Sequence, residues 1–200
     1  MKKVFAMLMT LTLALSLLAG CGGGQKETQG AEALAVAIRG EYLAMTSCAA
    51  QAVVTADYGQ RVYRYELSAA VNGEEALLTL TAPETVAGLT ARIEEDEGWL
   101  EYDGAILETG ELAPGGLTPM GAIPALLETA RSGYLDTCVL EELGEVQALR
   151  VVSRDPEEKQ GSGTETTLWF DAATHALVRG EISQDGVCVL QCEFSQFTKE

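Results

Sequence analysis

His175 is the single histidine of the 200-residue chain, four residues after Asp171, and no serine stands in a Gly-x-Ser-x-Gly context. A nucleophilic triad therefore has no recognisable set of parts. A zinc site would need His175 together with thiols that the strand pattern turns inward. The run Glu94-Glu95-Asp96-Glu97 is acidic enough for calcium. It lacks the alternating ligand spacing and the closing glutamate of a dedicated loop, so it reads as a solvated hairpin tip. Gly161-Ser162-Gly163-Thr164 has no lysine partner and no following helix to cradle a phosphate. Glu101 and Glu108 flank the Asp103-Gly104 turn, but with 30 acidic residues in the chain such pairs arise by chance. The expectation is a non-enzyme with no cofactor and no metal.

The residue with the clearest chemistry is Cys21. Met1-Lys2-Lys3 precedes a mostly apolar run, Val4 to Leu18, and Leu18-Ala19-Gly20-Cys21 follows. A basic start, a short apolar core and small residues before the cut suit a secretory signal better than a spanning helix, which needs about 20 apolar residues. The tetrapeptide resembles a bacterial lipobox. The resemblance implies cleavage after residue 20, a diacylglyceryl thioether on Cys21, and palmitate-type acylation of the new N-terminus. Two or more acyl chains hold a protein stably on a bilayer. The expected location is the outer face of the cytoplasmic membrane, or the outer membrane in a cell that has one.

Composition narrows the partners. The formal charge is −17, and loss of Lys2 and Lys3 with the leader leaves 11 of the 13 basic residues against 30 acidic ones. Nucleic acid is excluded as an expected partner, because a basic groove supplies most of the affinity for phosphate backbones. The acidic body repels an anionic leaflet, so the membrane is held through Cys21. Residues 21–30, rich in glycine and polar side chains, are expected to form a flexible tether about 15–18 Å end to end. Residues 31–200 are then one domain with its own core. Four further cysteines, Cys48, Cys138, Cys188 and Cys192, allow three pairings if all are oxidised; as thiols they are small buried hydrophobes. Cys188 and Cys192 lie about 13 Å apart on an extended strand and cannot bond to each other.

Leu34, Ile38, Tyr42 and Met45 fall on one helical face within 31–45. The period then drops to two. Strands are expected from Cys48 to Tyr58, Tyr63 to Val71, Ala76 to Ala82, Leu89 to Ile93, Trp99 to Tyr102 and Ala105 to Glu108, with Asn72-Gly73 and Asp103-Gly104 as tight turns. Thr118-Pro119 reads as an N-cap and first turn for a helix carrying Met120, Ile123, Leu126, Leu127 and Ala130, kinked or split at Pro124. Strands resume at Leu135–Leu143, Ala148–Arg154, Thr164–Phe170, Ala176–Ser183 and Val187–Phe197. In the last, Cys188, Leu190, Cys192 and Phe194 share one face. A sheet of ten or eleven antiparallel strands, apolar on one side, must curl or be covered.

The order of helix, six strands, helical insertion and more strands, closing on Leu168-Trp169-Phe170-Asp171, Leu177-Val178-Arg179, Asp185-Gly186 and Phe194-Ser195-Gln196-Phe197, resembles the LolA-like superfamily over nearly all of 31–200. That implies an α+β, mainly β fold: a strongly curved antiparallel sheet forming an unclosed barrel, with an N-terminal helix and a mid-chain helical lid. It implies a hydrophobic concavity, for which Val54, Tyr63, Tyr65, Leu67, Leu78, Leu80, Leu168, Phe170, Leu190 and Phe194 are the candidate wall and Met120, Ile123, Leu126 and Leu127 the candidate lid. A filled core accounts for the same apolar face. The expected ligand is a lipid, an acyl chain or a lipoprotein segment. The alternative partner is an envelope protein, a cell-wall enzyme or a membrane sensor, docked at a sheet edge or loop.

Overall fold

The computed structural model describes residues 23–94, 97–110, 112 and 116–200; the leader, Cys21, Glu95 and Asp96 lie outside the described residues. Helix α1 (Gly23–Ala44) precedes β1 (Ser47–Asp57), β2 (Val62–Asn72), β3 (Glu75–Ala82), β4 (Thr90–Glu94), β5 (Glu97–Tyr102) and β6 (Ala105–Glu108). Helix α2 (Ala122–Ser132) follows, then β7 (Leu135–Leu143), β8 (Val146–Arg154), β9 (Thr164–Asp171), β10 (Leu177–Gln184) and β11 (Val187–Lys199). The strands form one curved, unclosed antiparallel sheet in the order β6-β5-β4-β3-β2-β1-β11-β10-β9-β8-β7. This is the mainly β architecture expected from the alternation of side chains. Among the described residues, no helix is long and apolar enough to cross a membrane.

Two tight turns follow their sequence. Asp103 and Gly104 both adopt positive φ, as do Asp185 and Gly186, the pairing that matches the right-handed twist of the flanking strands. The turn after β2 falls one residue later than expected. Asn72 stays in register opposite Glu75, and Gly73 supplies the positive φ.

One face of the sheet is buried under the helices. In β1 the residues Cys48, Ala50, Ala52, Val54 and Ala56 point inward, and their neighbours Val71, Ala69, Leu67 and Tyr65 on β2 continue the face. Helix α1 lies against β7, β8 and α2. Its buried residues Ala31, Ala35, Ile38 and Tyr42, continued by Met45 just past its end, repeat every three or four positions, the stripe of an amphipathic helix. The helix itself reaches back beyond this stripe to Gly23. The segment read as a flexible tether is therefore helical from residue 23 onward. Gln25, Lys26 and Glu27 are good helix formers, and once a helix is nucleated each added residue gains a backbone bond.

Helix α2 also begins later than its sequence signals. Thr118 Oγ1 accepts from Gly121 N at 3.1 Å, and Ala122 N donates to Thr118 O at 3.0 Å. Thr118 thus caps a turn that feeds the helix at Ala122. Pro124 then sits in the first helical turn, where its missing N–H is not needed, so no kink forms.

The end of α1 is the most heavily tied part of the molecule. Tyr42 is 0% exposed. Its ring meets Phe170 edge-on at 5.2 Å and stacks on Phe197 at 6.1 Å, and its hydroxyl donates to His175 O at 3.1 Å. Lys199 Nζ lies 4.7 Å from the ring centroid and pairs with Glu41 at 2.5 Å. Glu41 also meets His175 Nδ1 at 2.7 Å. Lys199 and then His175 hold the Glu41 carboxyl below its ordinary 4.5. Arg131 of α2 donates to Tyr42 O at 3.3 Å, and Arg39 to Gly133 O. One turn of helix thereby touches β9, β11, the β9–β10 turn and α2.

All four described cysteines are free thiols. The shared face expected for β11 is broken by a bulge between Ile182 and Ser183: Leu190 pairs with Ile182, yet Cys188 pairs with Ser183. The extra residue, Val189, packs against the core in the place expected for Cys188, and Cys188 is exposed. Burial drives the Cys192 thiol up to about 12. Two outcomes follow. Tyr42→Ala should cost about 3–5 kcal/mol of stability, read as a lowered denaturant midpoint. A thiol reagent should modify Cys188 in the native domain and reach Cys48, Cys138 and Cys192 only on unfolding, as counted by mass.

Candidate functional site

The two helices cover the inner face of β7–β11, leaving the inner face of β2–β6 to be covered by irregular chain. Residues 83–89 fold back over it: Gly88 N donates to Leu80 O at 2.8 Å and Leu80 N to Leu89 O at 2.9 Å. The approach to α2 supplies the rest. Thr118 Oγ1 donates to Leu112 O at 3.1 Å, pinning Leu112 beside the sheet. Gly98 makes room for it, because a Cβ there would lie 2.7 Å from Gly110 O and 2.8 Å from Leu112 Cγ.

Between these covers an apolar pocket of about 220 Å³ remains. Tyr65, Leu80 and Leu100 form its floor, and Val86, Leu89, Leu112, Pro119 and Met120 its walls. Thr118 is the single hydroxyl in a wall otherwise apolar apart from the phenol of Tyr65, and its oxygen already has two partners. A row of tyrosines leads out of the pocket. Tyr65 stacks on Tyr63 at 6.3 Å, and Tyr63 meets Tyr58 at 6.2 Å. Tyr58 donates to Leu117 O at 3.1 Å, joining the β1 end to the approach of α2. Partial burial, then the neighbouring Tyr65 and Tyr63, push the Tyr58 hydroxyl above its ordinary 10.0.

The sequence-derived wall divides into two parts. Val54, Leu67, Leu78, Leu168, Phe170 and Leu190 lie in the continuous hydrophobic core, with Phe194 packed against it. Tyr63 is exposed. Tyr65 and Leu80 are the wall residues that reach the pocket. Of the lid, Met120 lines the pocket, whereas Ile123, Leu126 and Leu127 are buried in the core. Leu126 sits so close to β10 that a Cβ on Gly180 would lie 2.5 Å from its Cδ1. Helix α2 packs against β9, β10 and β11, and Leu112, Thr118, Pro119 and Met120, which precede it, border the pocket. Val86, Leu89, Leu100, Leu112 and Pro119 were not singled out from sequence. Leu112 lies in a stretch without periodicity, Pro119 read as the first turn of a helix, and Leu89 as the start of a strand.

His175 serves the fold. Its φ is positive, its turn is closed by Asp171 Oδ1 accepting from Ala173 N and Thr174 N at 2.8 and 2.9 Å, and its ring pairs with Glu41. The Thr174 amide above all holds the Asp171 carboxyl below its ordinary 3.8. Among the described residues no three metal-ligating side chains come together.

No protein-family model and no curated protein matches the sequence. Solved structures do. An uncharacterized conserved protein of Thermus thermophilus superposes with a TM-score of 0.51 at 13% identity, over 84% of this chain and 88% of that one. A LolA superfamily protein of Nitrosomonas europaea gives 0.44 at 11% identity, over 85% and 93%. A chain from the complex of the CwlD amidase with the GerS lipoprotein of Clostridioides difficile gives 0.45 at 12% identity, over 84% and 95%. The structural neighbours include LolA superfamily proteins and lipoproteins, and the expected unclosed, helix-covered sheet is the observed fold. At these identities the likeness concerns the fold alone.

The cover predicts a specific sensitivity. Gly98→Ala should displace Leu112, cost about 1–3 kcal/mol, and raise hydrogen exchange at Gly110 and Leu112 while leaving α2 protected.

Proposed function

We propose that this chain is a non-enzymatic, extracytoplasmic binding lipoprotein. Diacylglyceryl on Cys21 holds it to the outer face of the cytoplasmic membrane, and the pocket under residues 83–89 and Leu112 takes the end of an acyl chain or the apolar side chains of a lipoprotein segment. The pocket is the observation that carries this reading. Its lining is apolar apart from the phenol of Tyr65 and a hydroxyl whose hydrogen bonds are already made, so it offers an entering group dehydration and little else. Each methylene buried there is worth about 0.8 kcal/mol.

Size sharpens the reading. At about 220 Å³ the pocket is smaller than the 300–1,000 Å³ or so of sites that enclose a drug-sized ligand. It suits one chain end or one side chain, with the remainder of the ligand lying outside along Tyr63 and Tyr58. Tyrosines present an apolar ring and a polar tip, which fits them to the border between acyl chain and headgroup.

The test uses the full chain in detergent-free nanodiscs and cis-parinaric acid as a fluorescent acyl probe. Probe emission should rise on binding, and Leu112→Asp should reduce the affinity at least about tenfold by placing a carboxylate at the mouth, with melting temperature held near that of the parent. Unchanged affinity in that variant overturns the pocket reading. In the cell of origin, Cys21→Ala should abolish palmitate labelling. Labelling that persists in that variant would exclude the thioether anchor.

A further inference from the structure

The outer face of the sheet, opposite the helices, treats its two tryptophans differently. Trp169 on β9 is 8% exposed although it points away from the core. Arg179 lies over its ring at 5.1 Å, and its Nε1 donates to Glu141 at 2.7 Å, which in turn pairs with Arg150 at 3.0 Å. Trp99 on β5 has no such cover among the described residues. Its cross-strand neighbour Arg92 turns to Glu75 at 2.7 Å and to Glu94 at 3.6 Å. The ring remains at the floor of an open trough of about 590 Å³ that also involves Leu77, Glu101 and Ile106.

The trough ends at β6, an outermost strand of the sheet. Its free side pairs with no other strand of the sheet; it is four residues long and carries neither lysine nor proline. Ile106 is 69% exposed and Leu107 63%. The register fixes what an added strand would meet. Leu107 pairs with Leu100 on the inner face, and Ile106 and Glu108 pair with Glu101 and Trp99 on the outer face.

The geometry points to β6 as a docking edge for an extended protein segment in which apolar residues alternate with lysine or arginine. Strand addition satisfies the free backbone groups of Ile106 and Glu108, which alternate with residues bonded to β5. Because strand side chains alternate, every second residue of the incoming segment would cover Leu107, and the residues between would lie over Ile106, Glu108 and Glu101. Charge selects the occupant. Arg92, the only cation among the described residues of the trough, is already paired, while Glu94, Glu101 and Glu108 face it. A second copy of the chain, with a net charge of −17, would bring like charge to an acidic rim, whereas a basic strand is attracted to it. This inference does not depend on the pocket reading, since the trough lies on the opposite face.

The probe is a fluorescein-labelled octapeptide of alternating valine and lysine, titrated by anisotropy against the full chain in detergent. Hydrogen exchange reports the location. Binding should protect the amides of Ile106 and Glu108. A valine–glutamate octapeptide and a lysine octapeptide should each bind at least about tenfold more weakly. Glu101→Lys combined with Glu108→Lys should weaken the valine–lysine peptide by at least about tenfold, and Ile106→Pro should abolish binding by removing an outward-facing edge amide. Absence of binding overturns the inference. So does equal affinity for the valine–glutamate peptide, or protection elsewhere on the acidic surface. If Ile106→Pro unfolds the domain, the double lysine variant still decides, because its exposed sites leave the core intact.

Discussion

The burial of Tyr42 organises the molecule. An eleven-strand antiparallel sheet with one apolar face cannot remain open to water, and twist alone does not close it. Helix α1 covers one end of that face, and Tyr42 fixes its position by presenting a ring to Phe170 and Phe197 and a hydroxyl to the His175 carbonyl. The surrounding charges act on the same turn of helix. Glu41, His175 and Lys199 form a half-exposed network whose worth lies in orientation more than in energy, because exposed ion pairs contribute little. Arg39 and Arg131 then tie α1 to α2 through backbone carbonyls. With α1 placed, α2 has one available seat, against β10 where Gly180 admits Leu126.

That arrangement explains why the sheet has two unlike halves. Helices are regular and bury a continuous stripe, so the face of β7–β11 is densely filled. The face of β2–β6 is closed by turns and short coil, which present few side chains per residue to the sheet and leave a gap at Tyr65, Leu80 and Leu100. The outer surface shows the same division. Arg150, Arg179 and Glu141 seal Trp169 on one half, whereas Trp99 lies in an open trough on the other. One half is built as scaffold, and the other retains accessible apolar surface on both faces.

Much of this was legible in the residues. Period-two alternation and the Asp-Gly turns located nearly every strand, since the pleat imposes that period wherever one face is buried. The stripe on α1 was visible from Ile38, Tyr42 and Met45. Less legible were features that depend on contact between distant segments. Val189 displaces Cys188 outward because of a bulge that no local rule requires. Val86 and Leu112 border the pocket from a turn and a loop, where nothing periodic marks an inward side chain. Alternation also cannot tell a filled core from a hollow one, so Leu67 and Leu80 read alike although only Leu80 borders the pocket. The trough was hidden for a related reason: glutamates beside a hairpin look like ordinary solvated charge until register sets them around Trp99.

The sheet's order carries a consequence for how the chain is made. Its first strand and its last, β1 and β11, lie side by side in the middle, and that seam is where β1–β6 meets β7–β11. The two halves are meanders that can pair locally as they emerge, but the seam joins residues such as Val54 and Cys192 that are far apart in sequence. Pairing across so large a loop is slow. Until β11 arrives, β1 presents a long unpaired flank and Tyr42 lacks Phe197. A chain delivered N-terminus first therefore spends its assembly with its centre open, and its exposure to proteases and to aggregation is governed by the final thirteen-residue strand.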